Sequence, residues 1–239
     1  MKSQSENVFK EVVQILNDNK INYWICHGSL LGIIRDKKLL PWDCDIDFAV
    51  WQDEYTKEDI LKLFDDNSKF TQIVVPEEIG NLHFLSADKR IDINFYERDK
   101  EKAYIRWIAP GNLLFRTYYF IVNFLNSNYH KSYIEESNNK ISRLVKMILV
   151  IILFFLKFLT PKWVKKILYQ NLQSKINYTG YSYSLDLMEF KKVKFLNTDI
   201  FIPVNSERML EETYGKDWKT PKQDYVWHKE AKNLLKQSY

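Results

Sequence analysis

The chain has 239 residues, of which 46% are hydrophobic and 28% charged, and its formal net charge at pH 7 is +4. So mild a positive charge does not fit a dedicated nucleic-acid-binding protein, although it permits attraction to anionic lipids or phosphorylated substrates. The two cysteines, Cys26 and Cys44, are too few for a disulfide scaffold or a four-thiolate zinc site, and they suit a reducing compartment. The first residues predict an amphipathic helix rather than a signal peptide, so we expect a cytoplasmic protein.

Apolar spacing predicts helices and strands in mixed order through the first part of the chain. Ser29 is the expected N-cap of the second helix and Thr56 that of the third. This order indicates an α/β (α+β) fold, in which helices flank a mixed sheet. The predicted helices cover residues 6–17, 30–36 and 56–65, and the predicted strands cover residues 22–26, 43–50, 70–75, 82–85 and 90–96.

The second part of the chain is predicted to be mostly helical. An aromatic-rich helix covers residues 115–125, a β-hairpin lies within residues 194–204, and a further helix runs from Ser206 to a closing glycine, Gly215. We therefore expect a sheet domain over residues 1–100. Residues 101–239 would form a helical region that faces either a second substrate, the acceptor, or the membrane. The C-terminal hairpin and helices of this region would pack back on the sheet domain.

The most apolar segment spans residues 144–166, and three interpretations of it remain open. Its unbroken apolar core, residues 147–156, has about ten residues, whereas a membrane span needs about 20. A buried helix of the second subdomain is one interpretation. A helix lying on the membrane surface is another, with Trp163 as an interfacial anchor and Lys162, Lys165 and Lys166 as positive charges. The third is a true span.

Carboxylates alternate along the predicted strand at residues 43–50. Because successive side chains of a strand point to opposite faces, Asp43, Asp45 and Asp47 should share one face, with Cys44 turned inward on the other. Asp92 lies on the predicted strand at residues 90–96. Such a group of acids repels itself unless a cation binds it, and carboxylates that share Mg²⁺ can hold substrate phosphates.

A glycine–serine turn precedes these acids. Backbone N–H groups at the start of the predicted helix, together with the Ser29 hydroxyl, could hold a phosphate beside the acids. An acidic strand face can also be merely solvated. The row of three acids contains no lysine, however, and a second acid-bearing strand follows it.

The segment HGSLLGIIRDKKLLPWDCDIDFAV, residues 27–50, resembles the LicD family, whose pattern runs roughly G-x-L-L-G-x-x-R, a spacer and P-W-D-x-D-I-D. That family includes fukutin and fukutin-related protein and belongs to the nucleotidyltransferase-like superfamily, whose fold the resemblance implies for residues 1–100. A looser match follows in the tail, at Ile202-Pro203, Tyr214-Gly215, Trp218 and Pro221. The first segment matches at Gly28, Leu30, Leu31, Gly32, Arg35, Pro41, Trp42, Asp43, Asp45, Ile46 and Asp47.

The resemblance implies a phosphotransferase of cell-surface polysaccharide synthesis, such as that of capsule or lipopolysaccharide. A phosphorylated alcohol, phosphocholine-like or polyol-phosphate-like, would move from a CDP-activated donor to a glycan hydroxyl. If residues 144–166 lie on the membrane, the acceptor would be a lipid-linked or surface glycan at the inner face of that membrane. Mg²⁺ is the implied cofactor, with Mn²⁺ as the alternative.

The resemblance also implies roles for individual residues. Asp45, Asp47 and Asp92 would be the catalytic metal ligands, and Asp92 could instead be the general base. Gly28, Ser29, Arg35 and Asp43 would surround the substrate phosphates, although Arg35 could instead form an ion pair with Asp43. His27 stands where the family commonly has a small residue, but it could also touch the donor phosphate or base. Trp42 and His228 are weaker candidates.

Three other functions remain open. A nucleotidyltransferase acting on an NTP would use the same site. A GT-A-like glycosyltransferase also uses a D-x-D pair, but there the pair usually follows a longer nucleotide-binding sheet. A non-catalytic, membrane-associated binding protein would have kept the fold and lost catalysis. The presence of all three candidate acids argues against a loss of catalysis.

Overall fold

The computed structural model describes residues 2–65, 67–73, 80–109, 111–126 and 140–235. The chain divides into two compact units. The first comprises Met1–Trp107 and Thr179–Tyr239, and the second comprises Ile108–Tyr178.

In the part of the chain that the structure describes, a mixed sheet of seven strands organises the first unit. The strands follow the order β1-β2-β5-β4-β3, and β6 pairs with both β5 and β7. β2 and β5 run parallel, whereas β1 with β2, β4 with β5, β3 with β4, and β5 with β6 are antiparallel. The bounds are β1 Tyr23–Ile25, β2 Asp45–Trp51, β3 Thr71–Ile73, β4 Asn81–Ser86, β5 Lys89–Arg98, β6 Lys102–Ile108 and β7 Tyr178–Ser184.

The two central strands are buried almost throughout, as strands covered on both faces must be. On one side, helix α1 (Lys2–Asp18) packs its apolar stripe against β2, and the rings of Phe9 and Phe48 lie 5.7 Å apart. A separate hairpin, β8 (Phe190–Phe195) and β9 (Thr198–Pro203), packs on β1 on the same side, where the ring of Phe201 lies 5.7 Å from that of Tyr23. This side is apolar along β2 and β5, whereas Asp47 and Asp92 lie on the opposite face.

Short helices complete the first unit. α2 (His27–Leu31) continues directly into a π-helical turn, Gly32–Asp36. α3 (Lys57–Asp65) begins with a reciprocal cap, since the Thr56 hydroxyl accepts from the Asp59 N–H and the Asp59 carboxylate accepts from the Thr56 N–H. Near the C-terminus lie a 3₁₀ turn at Leu185–Leu187, then α7 (Ser206–Tyr214) and α8 (Trp227–Glu230).

The described residues of the second unit include three helices, α4 (Leu113–Asn126), α5 (Lys140–Leu159) and α6 (Lys162–Gln173). Its small apolar core includes Tyr119 and Val122 of α4 and Leu172 of α6. The Tyr118 hydroxyl of α4 donates to the Leu168 carbonyl of α6 at 3.2 Å. α4 and α6 are therefore joined by both packing and hydrogen bonding.

The predicted fold class is confirmed: helices flank a mixed sheet, and the C-terminal hairpin and the helix closed by Gly215 form as expected. The sequence patterns missed β6 and β7, although both belong to the sheet. Nothing in the fold tests the predicted division at residue 100, which stays a prediction. Within the described residues, none of the helices combines the length and hydrophobicity that crossing a membrane requires.

Two local predictions were wrong. Ser29 does not cap a helix, because α2 begins two residues earlier, at His27, with Cys26 in the N-cap position. Cys44 is exposed rather than turned inward. Since β2 begins at Asp45, Cys44 lies before the strand and its side chain does not follow the alternation.

Candidate functional site

The parallel pairing of β2 with β5 brings the acids together. In this register Asp45 lies beside Arg90, and Asp47 lies beside Asp92. Residues two apart on a strand share a face, so all four side chains project from the same side of the sheet. Carboxylate oxygens of Asp45, Asp47 and Asp92 lie within 4.8 Å of one another.

Asp43 joins this cluster from the segment before β2, and Gly28 leaves room for it. A Cβ atom added to Gly28 would lie 2.2 Å from an Asp43 carboxylate oxygen and 3.7 Å from one of Asp47. The first distance is a clash. Position 28 therefore has to be glycine if the Asp43 side chain is to stay in the cluster.

The carboxylates open into a cavity of about 230 Å³. His27 and Gly28 line it beside the acids, and Asn81 and Asn94 line it from β4 and β5. The remaining side chains form what we call the aromatic wall: Trp107, Tyr181, Tyr214, Tyr225 and Trp227. The cavity thus combines an acidic floor with flat apolar surfaces.

Arg90 is a basic residue of the site that the sequence analysis missed. Its guanidinium donates to Asp45 and to Asp92, each at 2.7 Å. It therefore bridges the two central strands and offsets part of their negative charge. The alternation of RIDINFY could have indicated it, because Arg90 lies two residues before Asp92 and so shares its face.

His83 positions Asp92 from β4, the strand that pairs with β5 on the side away from β2. The two residues are paired in register, and His83 Nδ1 lies 2.9 Å from Asp92 Oδ1. Both side chains are almost completely buried. Asp92 is thus held by His83 on one side and by Arg90 on the other, which fixes its carboxylate without using all of its acceptor capacity.

The electrostatics show how crowded these negative charges are. Burial, together with the hydrogen-bonded and charged Asp45 carboxylate, raises the pKa of Asp43 to about 8. Burial and the charges of the neighbouring aspartates raise the pKa of Asp47 well above its usual value. Burial also raises the pKa of Asp92, although His83 and Arg90 act in the opposite direction.

Asp45 behaves differently from its neighbours. Burial acts to raise its pKa, but the hydrogen bond with Asp43 and the charge of Arg90 outweigh burial and lower it. The pKa values of these acids are therefore shifted in opposite directions, as is expected of closely spaced carboxylates.

A divalent cation fits this arrangement. The site offers hard oxygen ligands from three strand-borne carboxylates, which is the ligand type that Mg²⁺ and Mn²⁺ prefer. Burial is the main cause of the raised pKa of Asp47, and a cation among the carboxylates would offset the second cause, the charges of the neighbouring aspartates. Asp43 and Asp45 also lie close enough to the Cys44 thiol to form a second group of potential ligands, but this group is more exposed.

Several predicted residues lie outside the cavity lining. The Ser29 hydroxyl is buried and accepts a hydrogen bond from the Asp47 N–H at 2.8 Å, so it fixes the start of β2 against α2. Arg35 forms an ion pair with Asp36 at 2.8 Å rather than with Asp43. Trp42 is 38% exposed, and His228 packs against Trp227.

His27 occupies an unusual backbone position, with φ of 48°. Its ring lies 4.9 Å from that of Tyr181 and 5.9 Å from that of Trp107, so it joins the aromatic wall to the acids. Its Nε2 atom lies 3.4 Å from the Tyr96 hydroxyl. The buried Nδ1 atom has no hydrogen-bond partner in the described part of the chain, so it is available to a ligand.

Comparison with protein families decides the relationship that the sequence pattern suggested. The LicD family, described as LicD/FKTN/FKRP, nucleotidyltransferase domain, matches residues 20–138. The chain belongs to the LicD family. The match includes Asp45, Asp47 and Asp92, together with Arg90 and His83.

Two relatives of this LicD protein come from Rickettsia. An uncharacterized protein of Rickettsia typhi is 27% identical over 96 residues, which cover 40% of this chain and 29% of the relative. An uncharacterized protein of Rickettsia prowazekii is 36% identical over 59 residues, or 24% of this chain and 22% of the relative. The chain therefore aligns with less than a third of each relative.

Burial of His27 provides a test of the site's electrostatics. Burial lowers its pKa to about 4, although the Asp45 charge opposes this. In the unfolded chain the histidine pKa is near 6.5, so the unfolded state binds a proton more readily than the folded state does. The contribution of His27 to the free energy of unfolding is therefore fully present above pH 6.5 and is lost as the pH falls toward 4.

We expect His27→Asn to weaken this pH dependence, and asparagine tolerates the positive φ. Between pH 7 and pH 5 in EDTA, the wild-type protein should lose about 1–2 kcal/mol of unfolding free energy relative to the variant. Urea unfolding at the two pH values measures the difference. Equal losses of unfolding free energy in the two proteins would contradict the assignment of a lowered pKa to His27.

Proposed function

We propose that this LicD protein is a Mg²⁺-dependent phosphotransferase. It moves a phosphorylated alcohol, phosphocholine-like or polyol-phosphate-like, from a CDP-activated donor to a hydroxyl of a cell-surface glycan. The observation that supports this most directly is the group of carboxylates of Asp45, Asp47 and Asp92, gathered at the floor of the cavity.

Asp45, Asp47 and Asp92 are the residues that would hold the cation. When bound, Mg²⁺ or Mn²⁺ would offset the negative charge of the donor diphosphate and of the departing CMP. The protein residues do the rest by position. β2 and β5 fix the three carboxylates on one face, Arg90 ties Asp45 to Asp92, and His83 prevents Asp92 from rotating away.

The transfer itself requires one bond to form and one to break. The acceptor oxygen attacks the phosphorus that carries the alcohol, and the bond from that phosphorus to the CMP oxygen breaks, with the electron pair leaving on CMP. The acceptor hydroxyl proton passes to a carboxylate. Asp92 suits this role if Asp45 and Asp47 alone hold the cation, because burial raises the pKa of Asp92, which strengthens it as a base.

The other cavity residues would bind and shield the donor. Trp107, Tyr181 and Trp227 line the cavity with aromatic rings, on which a nucleobase could stack. His27 Nδ1 can accept a hydrogen bond from the ligand while its ring is held by Tyr181. Ser29 acts indirectly, since its hydroxyl holds the backbone of Asp47.

A nucleotidyltransferase that consumes an NTP is the alternative, because its cation would need the same three carboxylates. Product analysis separates the two activities. Release of CMP from CDP-activated alcohols supports the phosphotransferase. Release of pyrophosphate from CTP or ATP, with CDP-alcohols left intact, would contradict it.

Asp47→Asn tests the catalytic assignment. With Mg²⁺ and a panel of CDP-activated alcohols, including CDP-choline and CDP-ribitol, we expect CMP release to fall by at least about 100-fold. In EDTA the variant should melt at the same temperature as the wild type or higher, because the substitution relieves repulsion among the acids. Mg²⁺ should raise the melting temperature of the wild type more than that of the variant.

Asp88→Asn is the matched control, since Asp88 lies exposed in the turn between β4 and β5. This control should keep wild-type CMP release. Near-normal turnover in Asp47→Asn would overturn the assignment of Asp47.

We also propose that the second unit binds the inner face of the membrane, where a lipid-linked glycan acceptor would be found. α5 and α6 expose large apolar side chains, among them Phe155 at 63%, Phe158 and Leu159 at 76% each, and Trp163 at 67%. An apolar surface of this extent is typical of an interaction site. Lys162, Lys165 and Lys166 lie beside it on α6 and would face anionic headgroups.

Flotation with vesicles that contain anionic lipid tests this surface. We expect the wild-type protein to float and the triple variant Lys162→Glu, Lys165→Glu, Lys166→Glu to bind at least about tenfold more weakly, since each lysine contributes roughly 1 kcal/mol. A control with glutamates at exposed Lys38, Lys62 and Lys100 of the first unit should float like the wild type. Equal flotation of all three proteins would contradict the electrostatic part of the proposal.

A further inference from the structure

A second cavity, of about 590 Å³, lies next to the carboxylate cavity, and we call it the basic groove. Five cationic side chains line it: Arg35, Lys216, Lys222, Lys229 and Lys232. Two acidic residues, Asp217 and Glu230, line it as well. The groove therefore carries an excess of positive charge, whereas the floor of the neighbouring cavity is negative.

Not all of these cations are neutralised by partners. Arg35 is paired with Asp36, and Lys222 is paired with Glu230. Lys216, Lys229 and Lys232 are exposed and have no ion-pair partner among the residues that the structure describes. These three lysines give the groove its capacity to attract an anion.

The basic groove and the carboxylate cavity share two wall residues, Tyr214 and Tyr225, whose rings lie 4.9 Å apart. A substrate that occupies the cavity therefore lies next to any group bound in the groove. This adjacency is the feature that relates the groove to the transfer reaction.

The wall of the groove is held in place by Thr213 of α7. Its carbonyl oxygen accepts hydrogen bonds from the Lys232 N–H at 3.0 Å and from the Tyr225 hydroxyl at 3.3 Å. Its hydroxyl lies 2.8 Å from that of Tyr183, on β7. The lysine-bearing C-terminal segment is thus fixed to α7 and to the sheet, so the groove exists before a ligand arrives.

We propose that the basic groove binds a phosphate group of a substrate. Phosphate could reach it from the donor or from the acceptor. We assign it to a phosphorylated acceptor, because the donor diphosphate is the group that the carboxylate cavity would bind through its cation. Anion binding in the groove does not depend on the proposed transfer, but this assignment to the acceptor does.

Titration with inorganic phosphate in EDTA tests the anion site, with the backbone amide signals of Gly215 and Lys216 followed by NMR. We expect these signals to shift and saturate in the wild-type protein. In Lys216→Glu, Lys229→Glu the apparent affinity should fall roughly tenfold or more, because two attractive charges become repulsive. The control Lys62→Glu, Lys100→Glu should behave like the wild type. Absence of saturable shifts, or equal affinity in the groove variant, would overturn the proposal.

The source of the phosphate is decided by repeating the titration with Mg²⁺ and CDP present. If phosphate still saturates the groove when Mg²⁺ and CDP are present, the result supports the acceptor as the source of the phosphate group. Competition by CDP would assign the groove to the donor and overturn our choice of source. Because the EDTA titration needs neither cation nor turnover, a failure of the phosphotransferase proposal would leave its result unchanged.

Discussion

The parallel pairing of β2 with β5 is the constraint on which the site depends. Its register places Asp45 beside Arg90 and Asp47 beside Asp92, so that like charges meet on one buried face. Carboxylates so close together oppose folding unless a cation relieves them, and Arg90 supplies part of that relief. The proposed function depends on the negative charge that remains, because this is where the proposed divalent cation would bind. The covered opposite face, where Phe9 packs on Phe48, holds the strands in this register.

The local pattern of the sequence was enough to predict the acids. Strict alternation places Asp45 and Asp47 on one face, and the same rule places Asp92 on the face of its own strand. The fold class and the family also followed from short segments, and both were confirmed. The alternation failed at Cys44, because the strand begins one residue later and the preceding segment has its own geometry. The capping rule failed at Ser29, whose hydroxyl is bonded across to β2 instead.

Contacts between residues distant in sequence could not be predicted in this way. His83 reaches Asp92 because β4 and β5 pair in one particular register, which the sequence of either strand alone does not specify. The aromatic wall combines Trp107 with Tyr181 and Trp227, residues separated by the whole second unit. Such a surface depends on where the chain returns to the sheet. The basic groove depends on the same return, since Thr213 fixes the segment that carries Lys232.

The central claim is that Asp45, Asp47 and Asp92 bind a divalent cation together with a cytidine nucleotide. Anomalous scattering from a crystal soaked in Mn²⁺ and CDP measures this most directly. The account predicts a manganese peak at coordinating distance, about 2.0–2.3 Å, from oxygens of at least two of these carboxylates, with the diphosphate of CDP on the same ion. No manganese peak at these carboxylates, or nucleotide bound elsewhere on the protein, would contradict it.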